Sequence, residues 1–267
     1  MNRAVRAEHK WWSASIFLER GLDVFLYRYL APFLAVAKRR RDLKRYFFIR
    51  YSEGGQHIRV RILPRPSLNG DEIKGWLSGT LRRFQQETGS ESNGRIDETV
   101  YDRTEAYFGE TAASVYSELI NEYTSALSGS LFSNSALTRT QVVTVMACAL
   151  GFFLRSSAEP VKTRAALMQS RRFALDILHQ AGWRPAEINA ETKLQFERIV
   201  RRIMPRVRTM LLDDPAAKQI VRLLRRVTRL GGSGEFVATH SLHLFCNKNG
   251  ILPPEEHHLL EALDEHL

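Results

Sequence analysis

Tyr46-Phe47-Phe48-Ile49-Arg50-Tyr51 and His57-Ile58-Arg59-Val60-Arg61-Ile62-Leu63 flank the short break Ser52-Glu53-Gly54-Gly55. Aromatic and β-branched residues favour extended backbone, and a Gly-Gly pair supplies the positive φ angles of a tight turn, so the stretch reads as a β-hairpin. Period-two alternation puts His57, Arg59 and Arg61 on one face of the second strand and Ile58, Val60 and Ile62 on the other. One face is core and the other is cationic. Arg50 sits among Phe47, Phe48 and Ile49, and its guanidinium must either reach water along its stem or meet an anion. Guanidinium groups on a rigid sheet offer planar forks of donors to carbonyls or anions. A solvated outer face is the competing reading, and composition does not choose between the two.

Working outward, the 267 residues are ample for a core, and 44% apolar with 25% charged residues is ordinary for a globular chain. The balance of charge is unusual: the net value is +10, which implies an anionic partner. Cys148 and Cys246 provide neither a disulfide framework nor metal-ligand spacing, which fits a reducing, cytoplasmic setting. Met1 to Lys10 is charged and lacks the apolar centre of a secretion signal. The longest apolar run, Val142 to Leu154, is too short to span a membrane and reads as a buried helix.

Trp11 to Leu18 reads as a first strand. Helical spacing then runs from Leu22 to Arg41, kinked or divided at Pro32. After the hairpin, Asn69 or Asp71 can cap a helix that ends near Gly89, and Arg95 to Tyr101 reads as another strand. Strand, helix, strand, strand, helix, strand is a ferredoxin-like α+β order with an antiparallel sheet. Beyond Gly109 helical periodicity takes over, in Ala112 to Leu127, Thr138 to Arg155, Pro160 to Ala181, Ala190 to Leu212 and Pro215 to Leu230. A further helix from near Phe236 carries His240, His243 and Asn247, and Pro253-Pro254 opens a terminal one. No long polar linker separates sheet from helices, so a single domain over residues 1–267 is expected.

Two stretches could carry chemistry. The hairpin is one. The other is Ser241 to Glu256, where His243 and Asn247 lie four apart on one helix face. An imidazole there can move protons, and the amide can orient a carbonyl. A histidine satisfied within a helix interface is the plainer alternative. His240 and His243 have the spacing of half a zinc site, but no thiol or carboxylate is placed to complete it, so no metal is expected. His257 and His258 read as polar surface. Arginines are dense in Arg198 to Arg202 and Arg222 to Arg229, without interleaved aromatic residues, which disfavours a nucleic-acid partner.

Phe47-Phe48-Ile49-Arg50-Tyr51, a turn, His57-Ile58-Arg59-Val60-Arg61, and at the far end His243-x-x-x-Asn247-Lys248-x-Gly250 followed by Glu255-Glu256 together resemble the lantibiotic dehydratase C-terminal family, also called the thiopeptide-type bacteriocin biosynthesis domain. The likeness covers nearly the whole chain, as a stand-alone protein. The resemblance implies a cofactor-free tailoring enzyme acting on a modified precursor peptide with an acidic leader, beside other enzymes of the same pathway. Two reactions occur in the family: elimination of glutamate from glutamylated Ser or Thr, and formal aza-cycloaddition of two dehydroalanines into a pyridine with expulsion of the leader. By resemblance Arg50, His57, Arg59 and Arg61 match the hairpin motif, while His243, Asn247 and Lys248 match the C-terminal one, where Lys248 replaces the usual Arg.

The middle of the chain departs from the eliminating pattern Tyr-x-x-Glu-x-x-Arg-Tyr-Gly-Gly. Tyr101-Asp102-Arg103-Thr104-Glu105-Ala106-Tyr107-Phe108-Gly109-Glu110 has Thr104 for the Glu, Tyr107 for the Arg and Glu110 for the second Gly. A departing glutamate needs a preorganised cation, whereas two neutral alkenes do not. Cycloaddition is therefore the leading expectation. In that scheme His243 is the proton carrier, Tyr101 and Tyr107 are donors to the amide oxygen, and the hairpin residues, Asn247 and Lys248 bind the peptide. Elimination is the alternative, and a non-catalytic scaffold for leader peptide or RNA comes third. The leading scheme further expects the hairpin face and the C-terminal helix to share one cleft.

Overall fold

A computed structural model describes residues 11–51, 54–89, 94–101, 111–132, 139–155, 190–207, 209–210 and 243–266, with a few single positions between 165 and 225. The chain divides into two compact units, Met1–Asn134 and Ser135–Leu267.

The first unit is α+β. Strands β1 (Trp12–Phe17), β2 (Leu43–Tyr51), β3 (His57–Pro64) and β4 (Arg95–Glu98) form one antiparallel sheet in the order β2-β3-β1-β4. The hairpin register pairs Tyr51 with His57, Ile49 with Arg59 and Phe47 with Arg61, as the alternation requires. Ala14, Ile16, Ile58, Val60 and Phe48 are 0% exposed on one face of the sheet, where they form a core with Phe25, Leu30 and Leu34 and with Leu77 and Phe84 of the helices. Helix α3 (Gly70–Thr88) begins in a capping box, in which Asn69 Oδ1 accepts the Glu72 N–H at 2.9 Å and the Glu72 carboxylate accepts the Asn69 N–H at 2.9 Å.

The helix between the first two strands is divided, as Pro32 predicts. It runs as α1 (Leu22–Val24), a π-helical segment (Phe25–Leu30) and α2 (Ala31–Arg39), with Pro32 in the first turn of α2. Proline has no N–H and its ring crowds the carbonyl four residues back, and the wider π turn relieves both problems. The Ala31 N–H accordingly reaches back five residues to Leu26 O.

Helix α4 (Thr111–Phe132) closes the outer edge of β2. The Ser125 hydroxyl accepts the Phe48 N–H at 3.1 Å and donates to Phe48 O at 3.3 Å, satisfying edge groups that would otherwise invite another strand. Arg45 donates to Glu122 at 2.7 Å and Glu118 at 3.3 Å, and Lys38 pairs with the other oxygen of Glu122.

The second unit is helical in its described residues. Helix α5 (Arg139–Arg155), α6 (Ala190–Ile203) with a 3-10 turn (Met204–Arg206), the helical residues 243–248 and α7 (Pro253–Asp264) supply its core. Val143, Met146, Phe196, Val200, Phe245, Leu259 and Leu263 are at most 2% exposed. Gly151 lets Met204 approach α5, since a Cβ there would stand 2.6 Å from its sulfur. The helix expected from Ala190 to Leu212 is regular as far as Ile203, tightens into the 3-10 turn at Pro205, and is helical again at Val207, Thr209 and Met210; Leu212 lies outside the described residues. The stretch expected to form a helix from Pro160 to Ala181 lies almost wholly outside the described residues. Among the described residues no helix is long and apolar enough to cross a membrane.

Candidate functional site

The second face of the sheet carries the hairpin cations. Across its four strands runs a row set by register, Arg95 on β4, Phe17 on β1, His57 on β3 and Tyr51 on β2. The Arg95 guanidinium lies 3.9 Å from the Phe17 ring centre, and His57 stacks on Phe17 at 4.5 Å and on Tyr51 at 5.6 Å. Arg59 lies 3.7 Å over the Tyr51 ring, and its Nε donates to His57 Nε2 at 3.3 Å. Because Nε2 accepts, the ring hydrogen belongs on Nδ1, which donates to Gly55 O at 2.8 Å. His57 thus locks the turn to the strand and steers Arg59.

Two residues along, Arg61 pairs across to Ser13 and Phe47. Its guanidinium lies 5.3 Å from the Tyr101 ring centre, and Tyr101, Trp11 and Phe47 meet edge to face with centres 5.3 to 5.9 Å apart. Arg45 lies 5.4 Å over Trp11. Ser13 and Ser15 form the small, polar middle of this face, and the Ser13 hydroxyl lies 2.7 Å from that of Thr99. His57 and Arg61 are each 2% exposed, so the reading of a solvated outer face does not hold for them. A buried guanidinium against aromatic faces keeps its charge while losing water, which strengthens its hold on whatever carbonyl or anion it meets.

Arg50 stands apart from this group. Its register partner is Ile58, so it lies on the helix-covered face, where it pairs with Asp23 and rests 5.7 Å over Tyr27. Burial works against its charge, and Tyr27 and Asp23 outweigh that, so its pKa stands above the ordinary value. The guanidinium has found the anion that its apolar neighbourhood demands.

In the second unit His243 opens the helical residues 243–248, and its Nδ1 lies 2.8 Å from Glu256 Oε2. Glu256 is 0% exposed, and the histidine side chain 12%. The two glutamates after Pro253-Pro254 divide the work. Glu255 accepts the Leu252 N–H at 2.7 Å and caps α7, while Glu256 turns inward. A turn with Gly250 at φ 70° brings the two helices together, and Asn249 Nδ2 donates to Phe245 O at 2.6 Å. Asn247 is half-buried. Lys248 is 0% exposed, and burial drives its ammonium pKa well below the usual value. Sequence reasoning missed the pairing of His243 with Glu256, because the partner comes from another helix, 13 residues along the chain.

His257 and His258 are buried, 8% and 9% exposed, which corrects their expected place on the surface. Both lie in α7, where Pro254, Glu256, Leu259, Leu260, Ala262 and Leu263 are buried as well, so the helix is covered on more than one side. With Glu261 they bring three possible ligand atoms within 4.8 Å of one another, but Lys193 Nζ already lies 3.2 Å from Glu261 and supplies the positive charge there. Arg198, Arg201, Arg202 and Arg206 are exposed along α6 and the turn after it. Tyr107 and His240 lie outside the described residues.

Comparison with known proteins adds three findings. The family described as Lantibiotic biosynthesis dehydratase C-term matches residues 11–267. The fold is similar to that of the tRNA dependent lantibiotic dehydratase MibB from Microbispora sp. 107891, with 19% identity and a TM-score of 0.61, over 100% of this chain and 28% of that one. It is also similar to TbtD, the pyridine synthase from thiomuracin biosynthesis, at 14% identity and a TM-score of 0.61, over 96% of this chain and 97% of that one. TsrL gives 14% identity and a TM-score of 0.65, over 96% and 94% of the two chains. No curated protein sequence matches.

Proposed function

The chain belongs to the lantibiotic dehydratase C-terminal family, and from that premise we propose that it joins two dehydroalanines of a precursor peptide by formal aza-cycloaddition, closing a pyridine-centred macrocycle and expelling the leader. The observation that carries this reading is the aromatic setting of Arg61: a desolvated guanidinium beside Tyr101, Trp11 and Phe47 suits a neutral, unsaturated, carbonyl-bearing peptide. Thr104 and Tyr107, where the eliminating pattern has Glu and Arg, support it from the sequence. So does a match that runs nearly end to end in both chains with a pyridine synthase. The β2-β3-β1-β4 order is read, within the same proposal, as the ferredoxin-like arrangement.

The reaction asks little of a protein beyond position and protons. One dehydroalanine amide must pass its N–H hydrogen to its oxygen to become a diene, the two alkenes must be held face to face, and the new ring then becomes a pyridine by losing that oxygen as water and the leader as its terminal amide. In this reading Arg59 and Arg61 hold peptide carbonyls, Tyr101 and Tyr107 donate to the amide oxygen, and His243 moves the proton. Asn247 and Lys248 orient the peptide beside it. The exposed arginines of α6 suit an acidic leader.

A second reading, glutamate elimination, has its own support in the likeness to MibB. Purified protein incubated with a synthetic peptide bearing two dehydroalanines distinguishes them. Cycloaddition yields a macrocycle and free leader by mass spectrometry, and replacing either dehydroalanine by alanine abolishes both. No macrocycle, with loss of glutamate from a glutamyl-serine peptide, overturns the proposal in favour of elimination.

A further inference from the structure

Glu256 is a fully buried carboxyl whose position the helix does not require. Glu255 already caps α7, leaving Glu256 free of that task, yet Glu256 is 0% exposed with Oε2 2.8 Å from His243 Nδ1. Its other oxygen, Oε1, is buried and has no hydrogen-bond partner among the described residues. Burying a carboxyl in this way costs stability that an apolar residue of the same size would not. Among the described residues, the directed side-chain contact made in return is the one to His243.

We propose that Glu256 is a positioning residue that sets the tautomer and orientation of His243, an inference that rests on the reading of His243 as the proton carrier. A carboxylate oxygen accepts, so in the proposed arrangement the ring hydrogen sits on Nδ1 facing Glu256 Oε2, and Nε2 carries the lone pair. Imidazole free in water favours the opposite tautomer, and the contact reverses that preference. The Nε2 lone pair then takes the amide N–H proton of the substrate, and the imidazolium, balanced by Glu256, returns that proton to the amide oxygen. The enzyme ends the exchange as it began. Orientation matters equally, because a ring tethered at Nδ1 cannot turn its N–H edge toward the reacting amide.

Two measurements separate this role from a merely structural one. In the wild-type protein, without substrate, a long-range 1H–15N spectrum is expected to show His243 protonated at Nδ1 and bare at Nε2. Glu256→Ala is expected to move the hydrogen to Nε2. Should that variant fold poorly, Glu256→Gln keeps the volume, and its kcat is expected to fall about tenfold to a hundredfold, the worth of a charged hydrogen bond, with KM within about twofold. Glu256→Asp is expected to recover part of that loss. If Glu256 acts through His243, the double variant His243→Ala/Glu256→Gln turns over no more slowly than His243→Ala alone. Losses that multiply, or a wild-type spectrum with the hydrogen on Nε2, overturn the role of Glu256 and leave His243 as proton carrier standing. An unchanged kcat in His243→Ala overturns both.

Discussion

The hairpin face of the first unit and the helical turn of the second both take charged groups out of water, and they do so by different means. On the sheet, Arg59 and Arg61 lie over tyrosine rings, Arg59 over Tyr51 one diagonal step from its register partner Ile49 and Arg61 over Tyr101 beyond the end of β4. In the second unit an imidazole is held by one carboxyl across 13 residues of sequence, and Lys248 is buried with its pKa driven down. A guanidinium keeps its proton in either setting. An amine need not, as Lys248 shows, and on the proposed reading the sheet holds the substrate while the helical turn moves the protons.

The largest expected effect comes from His243→Ala. Turnover of the dehydroalanine peptide is expected to fall at least about a hundredfold, the usual contribution of a placed acid or base. The same change strands Glu256 without its partner and is expected to cost about 3 to 5 kcal/mol by chemical denaturation. A normal rate would remove the proton-moving role from the second region.

Arg61→Lys tests the sheet. A point charge replaces a planar fork, and turnover is expected to drop about tenfold or more, mostly in KM. Stability is expected to fall by about 1 to 2 kcal/mol as the contact with Tyr101 is lost. An effect confined to kcat would make the sheet a reacting element and blur the contrast with the helical turn.

Lys248 sharpens it through pH. Its folded-state pKa is depressed below 10.5, so between the depressed value and 10.5 the unfolded chain binds a proton that the folded chain does not. Stability therefore rises with pH through that window, by up to about 1.4 kcal/mol per pH unit. Denaturation midpoints at a series of pH values are expected to show this slope in the wild type and to lose it in Lys248→Met. An unchanged slope in that variant would assign it to another group.

The smallest effect is expected from Arg50→Met. The arginine shares the hairpin motif but lies on the opposite face with an exposed partner in Asp23, so stability should fall by about 1 kcal/mol or less. Turnover within about twofold of wild type would show that face, and not motif, governs the hairpin arginines. A loss equal to that of Arg61→Lys would restore Arg50 to the binding set.

Local patterns were legible in the sequence because local physics writes them. Alternation at residues 57–62 gave the hairpin and its two faces, Asn69 with Glu72 gave a helix start, and Pro32 gave a break. The sheet order could be approached only through element order, and the π turn before Pro32 is a solution among several that the proline permits. Pairings between distant residues left little trace. Nothing near Arg50 names Asp23, and nothing near His243 names Glu256, since each partner comes from another element. The burial of His257 and His258 was missed for a related reason: two adjacent polar residues read as surface until the packing around a short helix is known.

The proposed reaction has this chain closing rings rather than expelling glutamate. Presenting purified protein with an equimolar mixture of a bis-dehydroalanine peptide and a glutamyl-serine peptide, and following both by mass spectrometry in one tube, tests it directly. Macrocycle and free leader are expected from the first peptide, with the glutamyl ester intact. Free glutamate with the bis-dehydroalanine peptide unchanged would contradict it.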